Sequence, residues 1–151
     1  MRLALIVEYD GTAYSGYQYQ DNAPSIQEEL EKAIAKLTRQ ETRVSGAGRT
    51  DAGVHAQGQV VAFDTEAVYP PETFVKALNH HLPDDIAVKE AHRVKPGFDP
   101  RRMAVSRRYV YSLYAGAIRS PLSRRTSHLV GEGLKMGRMR RAARHLVGVH
   151  D

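Results

Sequence analysis

The chain opens on an apolar run, Leu3-Ala4-Leu5-Ile6-Val7, which meets Glu8 and Asp10 at once and reads as a strand ending near Tyr9. Asp10-Gly11 then gives a turn. Pro24-Ser25-Ile26-Gln27-Glu28 has the form of a helix start with a Ser-x-x-Glu capping box. Ile26, Leu30, Ala33, Ile34 and Leu37 follow at spacings of three and four, so one stripe is buried and Glu28, Glu29, Lys32 and Lys36 stay in water. That helix is expected to end near Thr38. Thr42-Arg43-Val44 begins a short strand, a glycine-bearing loop runs from Gly46 to Gly53, and residues 57 to 63 make a Val-rich strand. After Pro70-Pro71, a second helix places Phe74, Ala77, Leu78 and Leu82 on one face. Pro83-Asp84-Asp85 stop it before a strand at residues 86 to 88.

The order β-α-β-β-α-β predicts an α+β fold of the ferredoxin-like type, an antiparallel sheet with both helices on one face. A Pro- and Gly-bearing loop then leads to alternating Tyr109, Tyr111 and Leu113, which predicts a strand over residues 107 to 115. A polar Arg-rich loop precedes a helix from about Leu134, with Met139, Ala142, Ala143 and Leu146 inward and Gly148 as C-cap. The expected organisation is a first domain over residues 1–104 and the start of a second, similar α+β domain over 105–151. The second unit lacks a further element to cover its helix, so a longer protein is expected.

Charge changes the picture. Residues 1–100 carry 10 Lys/Arg against 15 Asp/Glu, whereas residues 101–151 carry 12 against 2, eleven of the twelve being Arg. Guanidinium forks match phosphate oxygens, so the asymmetry points to a polyanion such as RNA. There is no cysteine, which removes disulfides, thiolate catalysis and the common Cys-containing zinc sites. No apolar run approaches a membrane span, and the first run is too short and too soon charged for a signal peptide, so a cytoplasmic protein without membrane contact is expected.

The densest chemistry lies in Gly46-Ala47-Gly48-Arg49-Thr50-Asp51-Ala52-Gly53-Val54-His55-Ala56. It is neither a Walker loop nor a dinucleotide fingerprint, since it lacks Lys-Ser/Thr and the third glycine. Its glycines allow a ligand close to Asp51, and Arg49 is placed to keep that carboxylate ionised, as suits a nucleophile or base. An Arg-Asp pair that merely closes a hairpin is the alternative. His55, four residues after Asp51, is placed to relay a proton, but a loop histidine bonded to backbone is the commoner case and the one expected. His80-His81 diverge as neighbours and lack a third ligand, so no metal site is expected.

Gly-Arg-Thr-Asp-Ala-Gly-Val-His, at residues 48–55, resembles the motif of the TruA family of tRNA pseudouridine synthases. So do Tyr9-Asp10-Gly11-Thr12, Gly16-x-Gln18-x-Gln20, Gly58-Gln59-Val60-Val61, Leu82-Pro83-Asp84-Asp85-Ile86-Ala87-Val88 and Arg107-Arg108-Tyr109-Val110-Tyr111. The resemblance covers the chain in order and corresponds to the family's N-terminal portion. It implies isomerisation of uridines in the tRNA anticodon stem-loop, at positions 38–40, with no cofactor and no metal. It also implies Asp51 as the catalytic carboxylate, acting either on C1′ as nucleophile or on the C2′ proton as base. Arg49 matches the residue that intrudes where the flipped base was or holds its phosphate, with Arg107 and Arg108 as further RNA contacts. Tyr109 matches the tyrosine that stacks on uracil, although an ordinary strand tyrosine has the same pattern. Gly48, Thr50, Gly53 and His55 support the loop. Family members are homodimers on tRNA, and a 151-residue portion is expected to be weakly active or inactive.

A catalytically silent RNA-binding module of ferredoxin-like fold is the rival. Such modules carry an aromatic-rich strand motif that is not found here and have no use for an Arg-Thr-Asp loop. A glycosidase would need two facing carboxylates, and a zinc deaminase His-x-Glu with Cys-x-x-Cys.

Overall fold

The computed structural model describes residues 1–150, which form two compact units, one of Met1–Arg107 and one beginning at Arg108. The first contains β1 (Arg2–Tyr9), α1 (Ile26–Thr38), β2 (Ser45–Gly46), β3 (Ala56–Asp64), α2 (Pro71–His81) and β4 (Ile86–Val94). The strands lie in the order β2-β3-β1-β4 and every neighbouring pair is antiparallel, which is the ferredoxin-like arrangement.

One face of this sheet makes the core. Leu3, Leu5, Val7 and Tyr9 of β1 are buried with Val61 and Phe63 of β3, Val88 and Ile86 of β4, and Ile26, Leu30, Ile34, Phe74 and Leu78 from the two helices. A strand alternates faces with a period of two, so the pairing must be adjusted to keep these residues together. β4 does so with a register shift: Glu90 faces Ile6 and Val88 faces Val7, so Lys89 is passed over. β3 shifts likewise between Val7, opposite Gln59, and Tyr9, opposite Ala56. Phe63 and Phe74 meet edge to face at 6.2 Å and fasten α2 to the sheet. Truncating a fully buried residue such as Leu5 to Ala should cost about 3 kcal/mol.

Helix α1 begins where the pattern predicts, with Ser25 Oγ accepting the Glu28 N–H at 3.2 Å. The other arm of the capping box does not form as expected; the Glu28 carboxylate pairs with Lys32 at 2.8 Å. Residues 42–44 do not begin the strand. The Glu31 carboxylate accepts the Val44 N–H and Gln27 donates to its carbonyl, so α1 takes the groups a strand neighbour would need, and β2 shrinks to two residues.

The second unit holds β5 (Leu113–Ala115) and β6 (His128–Val130), a parallel pair, and α3 (Met136–Ala143), followed by a short 3-10 turn. The strand expected over 107–115 is confined to its last three residues, because β6 offers backbone partners only there. No described residue of this unit is buried. Met139, Ala142, Ala143 and Leu146, expected inward, are therefore exposed, Leu146 at 80%. Gly148 takes a left-handed φ of 133° but lies beyond the 3-10 turn and does not cap α3 directly.

Candidate active site

The glycine-rich loop between β2 and β3 is held almost entirely through its backbone. Ala47 N–H donates to Val60 O at 2.8 Å and Gln59 Nε2 to Gly48 O at 2.8 Å. Tyr17 N–H donates to Thr50 O at 3.0 Å, and Gly53 N–H to Tyr14 O at 3.3 Å. The Thr50 hydroxyl lies 2.8 Å from the Tyr9 hydroxyl at the end of β1. Gly53, at φ 77°, turns the chain, and Val54 N–H closes that turn on Asp51 O at 3.2 Å. Gly11 packs so tightly beneath the loop that a Cβ there would overlap the Val54 carbonyl.

Asp51 stands at the outer bend of this fixed backbone, exposed, and its carboxylate has no hydrogen bond or ion pair among the described residues. The expected pairing with Arg49 is absent: no ion pair joins them, and Arg49 is exposed as well. Holding the loop backbone from beneath leaves both side chains available to a ligand. His55, as the sequence suggests, is tied to backbone. Its Nδ1 lies 3.1 Å from the Gly11 N–H, and the Asp10 carboxylate lies 3.1 Å from the same nitrogen. With the ring proton on Nε2, Nδ1 accepts from Gly11; a proton on Nδ1 would be donated to Asp10.

Tyr14 and Tyr17 are buried under the loop, whereas Tyr19 reaches solvent, where Arg43 stacks on its ring at 4.4 Å. Burial pushes the phenols of Tyr14 and Tyr17 well above their ordinary range. At Tyr14 the 2.7 Å hydrogen bond donated to Asp85 adds to this.

A cleft of about 650 Å³ adjoins the loop, lined by Ala47, Gly48, Arg49, Arg101, Arg102 and Arg107. Arg107 does not simply project into solvent. Its Nε donates to Ala47 O at 2.9 Å and its terminal nitrogen to Arg101 O at 2.6 Å. Arg101 and Arg102 carried no motif of their own in the sequence; only the excess of arginine after residue 100 pointed to their segment. Arg108 and Tyr109 belong to the second unit, both exposed, Tyr109 at 76%. No group of three metal-ligating side chains occurs among the described residues, and His80 and His81 only meet ring to ring at 5.1 Å. Nor is any described helix long and apolar enough to cross a membrane.

Residues 5–101 match the family model described as tRNA pseudouridine synthase. The chain belongs to that family. It is 49% identical over 149 residues to tRNA pseudouridine synthase A of Geobacter sulfurreducens, covering 99% of this chain and 61% of that protein. The Myxococcus xanthus protein of the same name is 48% identical, with 99% and 57% covered, and that of Exiguobacterium sibiricum 43%, with 99% and 59% covered. The chain thus spans about 60% of the length of the curated relatives it matches. The synthase family match takes in the whole Asp51 loop and the segment carrying Arg101.

Proposed function

We propose that this chain is part of a tRNA pseudouridine synthase acting on uridines of the anticodon stem-loop, at positions 38–40, with Asp51 as the catalytic carboxylate. The observation that carries the reading is the Asp51 side chain, unpaired and exposed on a loop whose backbone is fixed from beneath, within the segment that matches the synthase family. An unpaired carboxylate is free to act on the ribose, at C1′ as nucleophile or at C2′ as base. The C1′–N1 bond breaks, the uracil rotates, C1′–C5 forms, and the C5 hydrogen leaves as a proton while N1 gains one. Nothing is oxidised or reduced, so the step calls for no redox cofactor.

A uridine in a stem must first be extruded, and Arg49, exposed two residues from Asp51, is our candidate to take the vacated place. Tyr109 is the candidate to stack on the extruded uracil and exclude water, and Arg108 a candidate phosphate contact. Residues 105–151 we read as the beginning of a second α+β domain, in keeping with the absence of burial among the described residues of that unit and with the greater length of the relatives. The complete protein would act as a cytoplasmic homodimer on one tRNA.

Release of tritium from tRNA labelled at uracil C5 tests the reading, comparing the parent with Asp51→Asn. Release by the parent and none by the variant is the expected result. If the 151-residue chain is silent, the assay passes to the reading frame extended beyond Asp151. Silence there as well would favour an RNA-binding module without catalysis.

A further inference from the structure

We propose that the arginine cleft beside the Asp51 loop is a phosphodiester subsite, in which Arg101 and Arg102 grip the RNA backbone and Arg107 acts as the brace that holds the site open. The inference deepens the synthase reading and rests on it for the identity of the polyanion.

Residues far apart in sequence meet here by construction. Asp99 accepts the backbone N–H groups of Arg101 at 2.8 Å and Arg102 at 3.1 Å, and Met103 N–H closes the turn on Asp99 O at 2.9 Å. These bonds hold the Asp99 carboxyl below its ordinary range. Arg2 Nε anchors the same segment through Phe98 O at 2.6 Å. Arg107 then links the turn to the catalytic loop, one nitrogen on Arg101 O and another on Ala47 O. Two of its donor positions are committed to protein carbonyls, which makes it structural.

What remains is a cleft lined by three exposed arginines, Arg49, Arg101 and Arg102, carried on two braced segments. Among the described residues, Arg102 is the only one of the three in an ion pair, with Asp99 at 3.6 Å, and its side chain is 88% exposed. Like charges gathered in one place repel one another, and the fold gains nothing from them unless an anion completes the site. Among the described residues no aromatic side chain lines the cleft, which therefore offers no stacking platform for a base there. A surface that offers guanidinium forks and no stacking face reads phosphate and fixes position, not sequence.

The test is binding of a fluorophore-labelled stem-loop RNA to the 151-residue chain across a salt series. Arg101→Gln/Arg102→Gln should weaken binding about tenfold or more at low salt. It should also lower the slope of log K against log salt by about one for each phosphate that the variant no longer neutralises, with the melting temperature unchanged because both side chains are exposed. Stem-loops carrying a single uncharged methylphosphonate linkage, moved along the strand, should reveal one or two linkages that weaken the parent but not the double variant. Arg107→Lys keeps the charge but cannot span both carbonyls; it should weaken binding while leaving the salt slope intact. An unchanged slope in the double variant, additive linkage effects, or no RNA binding by the parent would each overturn the subsite. A reduced slope in Arg107→Lys would overturn the brace. None of these readouts depends on turnover, so the subsite stands or falls separately from the isomerase reading.

Discussion

The hydroxyl of Tyr9, the last residue of β1, lies 2.8 Å from the hydroxyl of Thr50, the residue before Asp51. β1, which is paired on both sides by β3 and β4, is therefore tied at its end to the residue before the candidate catalytic residue. Tyr9→Phe removes that bond and keeps the ring. It should cost about 1 kcal/mol of stability and slow tritium release in single-turnover assays while leaving RNA affinity in place. An equal loss of affinity would mean that the bond holds the RNA surface and not Asp51 alone.

Gly11 has no room for a side chain. In Gly11→Ala the new Cβ would overlap the Val54 carbonyl, so the backbone around Gly53 must move, at a cost of about 2 kcal/mol or more. Gly58→Ala is the control: its Cβ would meet only Ile6 Cγ2, at an ordinary 3.7 Å. Thermal melting should separate the two variants clearly, and equal melting temperatures would refute the close packing of Gly11 under the loop.

The Tyr17 hydroxyl is buried and has no hydrogen-bond partner among the described residues. Leaving such a group unsatisfied costs about 1–3 kcal/mol, so Tyr17→Phe should melt no lower than the parent. A marked fall in melting temperature would show that the hydroxyl is satisfied in solution.

Alkaline pH should unfold this domain earlier than surface tyrosines would suggest. The phenols of Tyr14 and Tyr17 titrate above their ordinary value of 10.0 in the folded state. The stability they contribute is fully present below about pH 10 and is lost as pH rises from there toward their folded values. Denaturant melts from pH 8 to 11 should show this decline, and Tyr14→Phe should flatten part of it. An unchanged slope in that variant would place the proton loss elsewhere.

Much of the first unit was legible because its signals are local. The stripe from Ile26 to Leu37, the Ser25 cap and the Pro70-Pro71 start each act within one or two turns of chain, and α1 and α2 lie where those signals put them. The strand at 42–44 failed for a non-local reason, since side chains of α1 took the backbone groups of Val44. At 107–115 the alternation was real but a strand needs a partner, and β6 supplies one only for Leu113–Ala115.

At the site, the sequence by itself determined the loop, its acid and its family motif, because eight adjacent residues carry that information whatever surrounds them. Only the tertiary structure decided that Arg49 and Asp51 do not pair, that His55 is tied to Gly11, and that Arg101 and Arg102 share a cleft with a loop some fifty residues earlier. Exposed arginines follow no period of helix or strand, so their meeting leaves no trace along the chain. It depends on where the sheet edge, the Asp99 turn and the Arg107 brace come together in space.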